Sequence, residues 1–158
     1  MTDPAWRLPY RDGEHYEWGQ PWGYDPPDPA TGHEGYGGNA QHFHYGVDLL
    51  VPSGTTIVAV ADGTVVVADT EQPKGFPGVL DGAWGTVCTI RLADGLEVDY
   101  CHLSVLATYV GQQIRAGQNV GLSGATGIPG VTVFGAHLHL QLRRGKERLD
   151  PTARFPVE

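Results

Sequence analysis

The chain has 158 residues, 23 of them Gly, with 10 Lys plus Arg against 18 Asp plus Glu and a formal net charge of −8. One domain of this size buries about two thirds of its unfolded surface, so it needs no staple to fold. The acidic balance excludes a general nucleic-acid binder and a polybasic membrane-surface module, and no run of about 18 apolar residues is present to span a bilayer.

Residues 1–43 read as an arm. They hold 7 Gly, 6 Pro, three of the four Trp and four of the seven Tyr, and they carry −5 of the charge. They contain no Val or Ile, and Leu8 is their only Leu. An arm so poor in branched aliphatics cannot build a core alone, but its aromatics can dock on one built elsewhere. The start, Met1 to Trp6, lacks the positive charge and apolar run of a secretory signal.

From His44 the texture becomes that of strands. Thr56–Ala61 and Thr64–Ala68 flank Asp62-Gly63, and Thr86–Leu92 and Leu96–His102 flank Asp94-Gly95. β-Branched runs around Asp-Gly predict hairpins, because both residues tolerate the positive φ of a tight turn. Shorter strands are expected over Gln118–Leu122 and His137–Leu142, and Val105–Val110 suits a short turn of helix. Thr70–Trp84 and Gly127–Ala136 read as long loops of the kind that carry function. The expected fold is all-β, an antiparallel sandwich or barrel-like sheet with little helix. The body is residues 44–158.

Cys88 and Cys101 lie on the two arms of the second hairpin. A two-residue turn at Asp94-Gly95 would set them opposite each other, at a site where Cα atoms are about 4.5 Å apart. A disulfide fits there, and so do two small buried thiols, the favoured reading. A one-residue change of turn register abolishes the pairing.

Seven histidines are present, at 15, 33, 42, 44, 102, 137 and 139. Residues two apart on a strand share a face, so His137 and His139 present two imidazoles side by side. Zinc takes imidazole nitrogens and carboxylate oxygens, and a catalytic site keeps one of four positions for water. His44, Asp48 and one His of the pair would supply three ligands, leaving two histidines to move protons. A packed or surface role for each His is the plainer alternative.

The ordered motifs resemble the M23 metallopeptidases of the lysostaphin or LytM type, from about His44 to Pro151. The carrying segments are His44-x-Gly46-x-Asp48, Val51-Pro52-x-Gly54, Ala61–Val65, Tyr100-x-His102-Leu103-Ser104, the glycine turns from Val110 to Gly127, and His137-Leu138-His139. The resemblance implies a zinc-dependent endopeptidase that hydrolyses peptide cross-links of bacterial peptidoglycan. It implies one zinc ion per chain, bound by His44, Asp48 and His139. His102 and His137 would stand beside the reacting carbonyl as the catalytic pair. Gln141 replaces a frequent Glu and would orient a ligand, and Cys101 and Ala125 replace a common Ala and Asn. The two long loops exceed the usual length, and in the family such loops wall the substrate groove. Tyr36 could reach the oxyanion if the arm folds back, although packing by its ring is the favoured role. His33, Asn39 or His42 could cover the metal in a resting form. A monomer acting at the cell wall is expected, delivered by a phage or excised from a larger secreted protein. A catalytically inactive module that binds cell wall or a partner is the alternative.

Overall fold

The structure is a computed structural model. It describes residues 6–19, 21–24, 43–72, 85–125 and 136–156, with residues 24, 43, 44, 71 and 72 described through the backbone alone. The strands are β1 (Gly23–Tyr24), β2 (Phe43–His44), β3 (Val47–Leu49), β4 (Thr56–Val58), β5 (Gly63–Gln72), β6 (Gly85–Leu92), β7 (Glu97–Leu106), β8 (Gln113–Ile114), β9 (Asn119–Ser123), β10 (Leu138–Arg144) and β11 (Glu147–Leu149). A 3-10 turn follows at Thr152–Arg154, and no α-helix occurs among the described residues. The all-β antiparallel reading holds.

Nine strands form one antiparallel sheet in the order β11-β10-β7-β6-β5-β8, with β3 beside β10 and β9 between β7 and β4. The long strand β7 has β6 along one edge. Along its other edge the partner changes: β10 pairs with it through Cys101, and β9 pairs with it from Leu103 onward. The sheet therefore forks at residue 102.

Strand alternation sorts the two faces. Leu49, Ile90, Val98, Tyr100, Leu138, Leu140 and Leu142 point into the main core with Ile57, Val60, Val65 and Val120. Tyr100 is buried among them because its hydroxyl has a partner, the Val60 amide, which donates to it at 2.9 Å. The aromatics of the N-terminal segment join this core. Trp6 and Tyr10 are buried in it, and Trp6 and Trp18 pack on Phe155 with centroids 5.3 and 4.9 Å apart. Backbone bonds fix the segment to the sheet: Gly19 N–H donates to Asp48 O at 2.7 Å and Leu50 N–H to Glu17 O at 2.9 Å.

Two expected turns differ. Asp62-Gly63 closes no hairpin, since Thr56–Val58 pairs with β9, whereas β5 begins at Gly63 and pairs with β6 and β8. Glycine is needed there for close approach, because a Cβ at Gly63 would collide with the Arg91 carbonyl. Asp62 Oδ1 accepts from the Ala116 amide at 2.8 Å and so anchors a corner. The second hairpin does form, but with a three-residue loop closed by Leu92 N–H donating to Leu96 O at 2.8 Å, Gly95 taking φ 86°. That longer loop shifts the register by one, so Cys88 faces Tyr100 and not Cys101. Both thiols are free and buried, Cys88 in the main core and Cys101 with Val87 on the opposite face. Val105–Val110 makes no helix: β7 runs to Leu106, and a turn follows at 110–111. Residues 73–84 and 126–135, most of the two expected loops, lie outside the described residues.

Candidate active site

The face of the sheet opposite the main core carries polar residues in cross-strand rows. The register aligns Asp48, His139 and Cys101 on β3, β10 and β7. The next row is Gln141, Asp99 and Thr89, and the third is Arg143, Glu97 and Arg91. The odd-numbered positions of Leu138–Arg144 and Glu97–Cys101 thus share one face, as the period of a strand dictates.

His102 sits at the fork and departs from strand geometry. Two residues of β7, Cys101 and His102, are accommodated against Val87 of β6, because the register slips between Thr86/Leu103 and Cys88/Tyr100. His102 takes φ 62°, the only described non-glycine residue in the left-handed region. A bulge of this kind re-aims one side chain, and strain concentrates where function over-determines the backbone. The ring of His102 lies 4.7 Å from that of His137 and 5.9 Å from that of His139, centroid to centroid. His137 reaches this place from the entry to β10, where it bridges to Gly124 at the end of β9.

Asp48 ties the group together. Its Oδ1 lies 3.0 Å from His139 Nδ1 and 3.8 Å from His137 Nε2. These three side chains are 12–15% exposed, so the cluster is recessed but open to solvent. On its far side His139 Nε2 lies 3.0 Å from Gln141 Oε1.

The orientation of Gln141 follows from what lies beneath it. Asp99 is fully buried and receives donors at both oxygens. Thr89 Oγ1–H donates to Oδ1 at 2.6 Å and Arg143 Nη2–H to the same oxygen at 2.8 Å. Arg143 Nε–H donates to Oδ2 at 2.5 Å and Gln141 Nε2–H to Oδ2 at 2.9 Å. Burial pulls the Arg143 guanidinium down, but the Asp99 and Glu97 carboxylates hold it above its ordinary value. Gln141 turns its NH₂ toward Asp99, where the other donors also gather, and its carbonyl toward His139. His139 Nε2 then faces the Gln141 carbonyl, and Nδ1 faces the Asp48 carboxylate at 3.0 Å. An imidazole nitrogen beside a carboxylate oxygen is a donor set that suits zinc.

The third expected ligand, His44, is described through its backbone, which pairs with Gly23 of β1. Its neighbours are held firmly. Arg148 stacks on Tyr45 at 4.1 Å from the ring centroid, and Trp22 meets the same ring edge-on at 5.8 Å. Gly46 is compelled by the site, since a Cβ there would lie 2.7 Å from His139 Cε1 and 2.7 Å from the Leu140 carbonyl. Among the described residues no group of three or more His, Cys, Asp or Glu side chains is placed to hold a metal ion. Asp48 and His139 are the described part of the expected set.

The structure brings together Asp48, His102, His137, His139 and Gln141. Tyr36, His33, Asn39 and His42 lie outside the described residues. Asp99, Thr89 and Arg143 escaped the reading of the sequence, whereas Gly46 was carried by the His44-x-Gly46-x-Asp48 motif. The alternation Glu97-x-Asp99 against Gln141-x-Arg143 was the available signal, since it puts opposite charges on facing strands.

Comparison with known proteins agrees with this arrangement. Residues 42–151 match the model of peptidase family M23. The DD-carboxypeptidase/endopeptidase Mpg of Neisseria meningitidis is 33% identical over 110 residues, 70% of this chain and 22% of its own length. The peptidoglycan DD-endopeptidase ShyA of Vibrio cholerae is 33% identical over 99 residues, 63% of this chain and 20% of its own length. The chain thus spans about a fifth of the length of these curated relatives. The catalytic domain of the antimicrobial peptidase lysostaphin from Staphylococcus simulans superposes with a TM-score of 0.63 at 28% identity, over 87% of this chain and 90% of that one. With its motifs, its sheet and 110 residues of matching sequence in accord, the chain belongs to peptidase family M23.

Proposed function

We propose that this chain is a zinc-dependent endopeptidase that hydrolyses peptide cross-links of bacterial peptidoglycan and acts at the cell wall. The observation that carries the proposal is the convergence at the sheet fork, where His139 Nδ1 faces Asp48 Oδ1 at 3.0 Å with the rings of His102 and His137 alongside. The names of the relatives support a peptidase and, for ShyA, peptidoglycan as the substrate.

His44, Asp48 and His139 would hold the zinc ion. When bound, zinc supplies Lewis-acid polarisation and makes a nucleophile available near neutral pH. The other steps belong to side chains. Gln141 keeps the His139 ring in place by accepting its Nε2 proton. His102 and His137 divide the proton traffic. One accepts a proton from the attacking water, and the other donates to the oxyanion or to the departing amine. Residues 1–43 serve the domain 44–158 as a docked arm, a role supported by the buried Trp6 and Tyr10.

The test uses purified cell walls of both cross-link types, Gly-Gly and D-Ala–diaminopimelate. Zinc content and release of new amino groups are measured for the parent and for His102→Ala. The expected result is one zinc per chain in both, with cleavage by the parent and a fall of about 10²–10⁴-fold in the variant. Zinc bound without cleavage of either wall by the parent refutes the enzyme. Equal cleavage by the variant refutes the role of His102.

A further inference from the structure

The segment that carries His44 and Asp48 is held from two sides. On one side β10 pairs with β3 over the three residues Val47–Leu49. On the other lies the N-terminal segment, outside the residues 42–151 that match the family. Gly19 N–H donates to the Asp48 carbonyl at 2.7 Å, Leu50 N–H donates to the Glu17 carbonyl at 2.9 Å, and Trp18 bridges to Leu49 between them. Farther along, the backbone of Gly23 pairs with that of His44, and the Trp22 ring meets Tyr45, the next residue, edge-on at 5.8 Å. These contacts fall on the two expected ligands, Asp48 and His44. The segment is itself anchored away from the site, by Trp18 on Phe155 at 4.9 Å and by Val58 N–H donating to the Pro9 carbonyl at 3.0 Å. Its glycines fit the task. A Cβ at Gly19 would lie 2.7 Å from Leu50 Cδ2, and Gly23 takes φ 116°, where L-residues are rarely found.

We propose that residues 17–19 and 22–24 are a positioning element of the metal centre, which grips the backbone at Asp48 and at His44 and so fixes both ligands against His139. The proposal rests on the zinc reading for the metal, whereas the grip on the strand is independent of it. A strand of three residues is at the short end of the usual range, and a ligand set works only when held to within about 0.5 Å. Asp48 stands 3.0 Å from His139 Nδ1 on a strand that is hydrogen-bonded along both edges. Without the Gly19 N–H the Asp48 carbonyl loses this donor, and β3 is steadied from the β10 side alone. The segment therefore belongs to the metal centre, although the family match begins beyond it.

The experiment compares the full-length parent, Gly19→Ala, Gly19→Pro and Gly23→Ala. Both substitutions at position 19 set a Cβ against Leu50, whose half-exposed side chain can give way. Only Gly19→Pro removes the N–H. Zinc affinity is measured by competition with a chromophoric chelator, well below each thermal midpoint, so that a loss of stability alone does not register. Backbone amide exchange at residues 47–50 is followed in the zinc-free proteins. Gly19→Pro is expected to bind zinc about tenfold or more weakly than Gly19→Ala, the usual effect of losing support behind a ligand, and to lose protection at the Leu50 amide. Gly23→Ala is expected to weaken zinc by a similar factor relative to the parent. Equal affinity in the two variants at position 19 overturns the proposal, as does parental affinity in Gly23→Ala or an unprotected Leu50 amide in the parent. If Gly19→Pro does not fold, Gly23→Ala and the parental Leu50 amide still decide. A parent that binds no zinc refutes the functional reading instead. The grip is then judged by exchange at residues 47–49: faster exchange in Gly19→Pro than in Gly19→Ala upholds it, and equal exchange overturns it.

Discussion

His102 allows the fork geometry to be tested apart from chemistry. Its φ of 62° places an L-residue where the Cβ crowds the backbone, at a cost of about 1–2 kcal/mol. Elsewhere in a strand, Gly is the worse choice than Ala by about 0.5–1 kcal/mol. At position 102 the order reverses. Both His102→Gly and His102→Ala delete the imidazole, and both vacate the same buried volume; they differ in whether a Cβ must sit in the left-handed region. The Gly variant is therefore expected to be the more stable by roughly 1 kcal/mol, which in a domain of this size is about 2–4 °C in thermal midpoint. Urea or thermal unfolding of the two zinc-free proteins measures it. Cell-wall cleavage is expected to fall equally in both, because neither retains a group to move a proton. An Ala variant as stable as the Gly variant refutes the strained bulge. Unequal cleavage refutes the view that position 102 acts through its ring alone.

Two further predictions use groups near the site. Gly46→Ala is expected to displace the His139 ring, because the new Cβ would lie 2.7 Å from Cε1 and the Leu140 carbonyl on its other side cannot yield. Zinc affinity measured by chelator competition should drop about tenfold or more, and parental affinity in a folded variant would contradict the close approach. The thiols set an alkaline limit. Burial pushes Cys88 up from 9.0 to about 11, against the Thr108 hydrogen bond, and burial followed by the Asp99 charge pushes Cys101 well above its ordinary value. Well below pH 9 both are protonated in folded and unfolded chains alike, and their stabilisation is intact. As pH rises toward 11 only the unfolded chain releases these protons, so stability falls by up to about 1.4 kcal/mol per pH unit for each thiol. Replacing both by Ala should flatten the fall of the thermal midpoint between pH 9 and 10, and an unchanged slope would place its cause elsewhere.

The residues legible in the sequence were those whose chemistry is carried by local spacing. His137 and His139 share a face because a strand has period two, and Asp48 lies opposite His139 once β3 and β10 pair. What spacing cannot supply is register, and register decided the rest. The shift of one residue at Ala93–Gly95 separated Cys88 from Cys101 and set Asp99 against Thr89, while the separate pairing of β10 with β7 set Gln141 on its other side. The same kind of count, broken by a bulge, turned His102 into the fork. Asp62-Gly63 failed as a hairpin signal for a related reason: its glycine answers to the Arg91 carbonyl of a neighbouring strand, a contact with no trace in the local pattern. The N-terminal arm was ambiguous because its aromatics had no periodicity, and only the core they complete, with Trp6 against Phe155 nearly the whole chain away, gives them a place. The site is thus specified twice. Short motifs name Asp48, His102, His137 and His139, and long-range register supplies the buried Asp99 carboxylate that turns Gln141 toward one of them. Only the first was readable from short motifs, which is why Gln141 could be assigned to an orienting role while the residue that orients Gln141 could not.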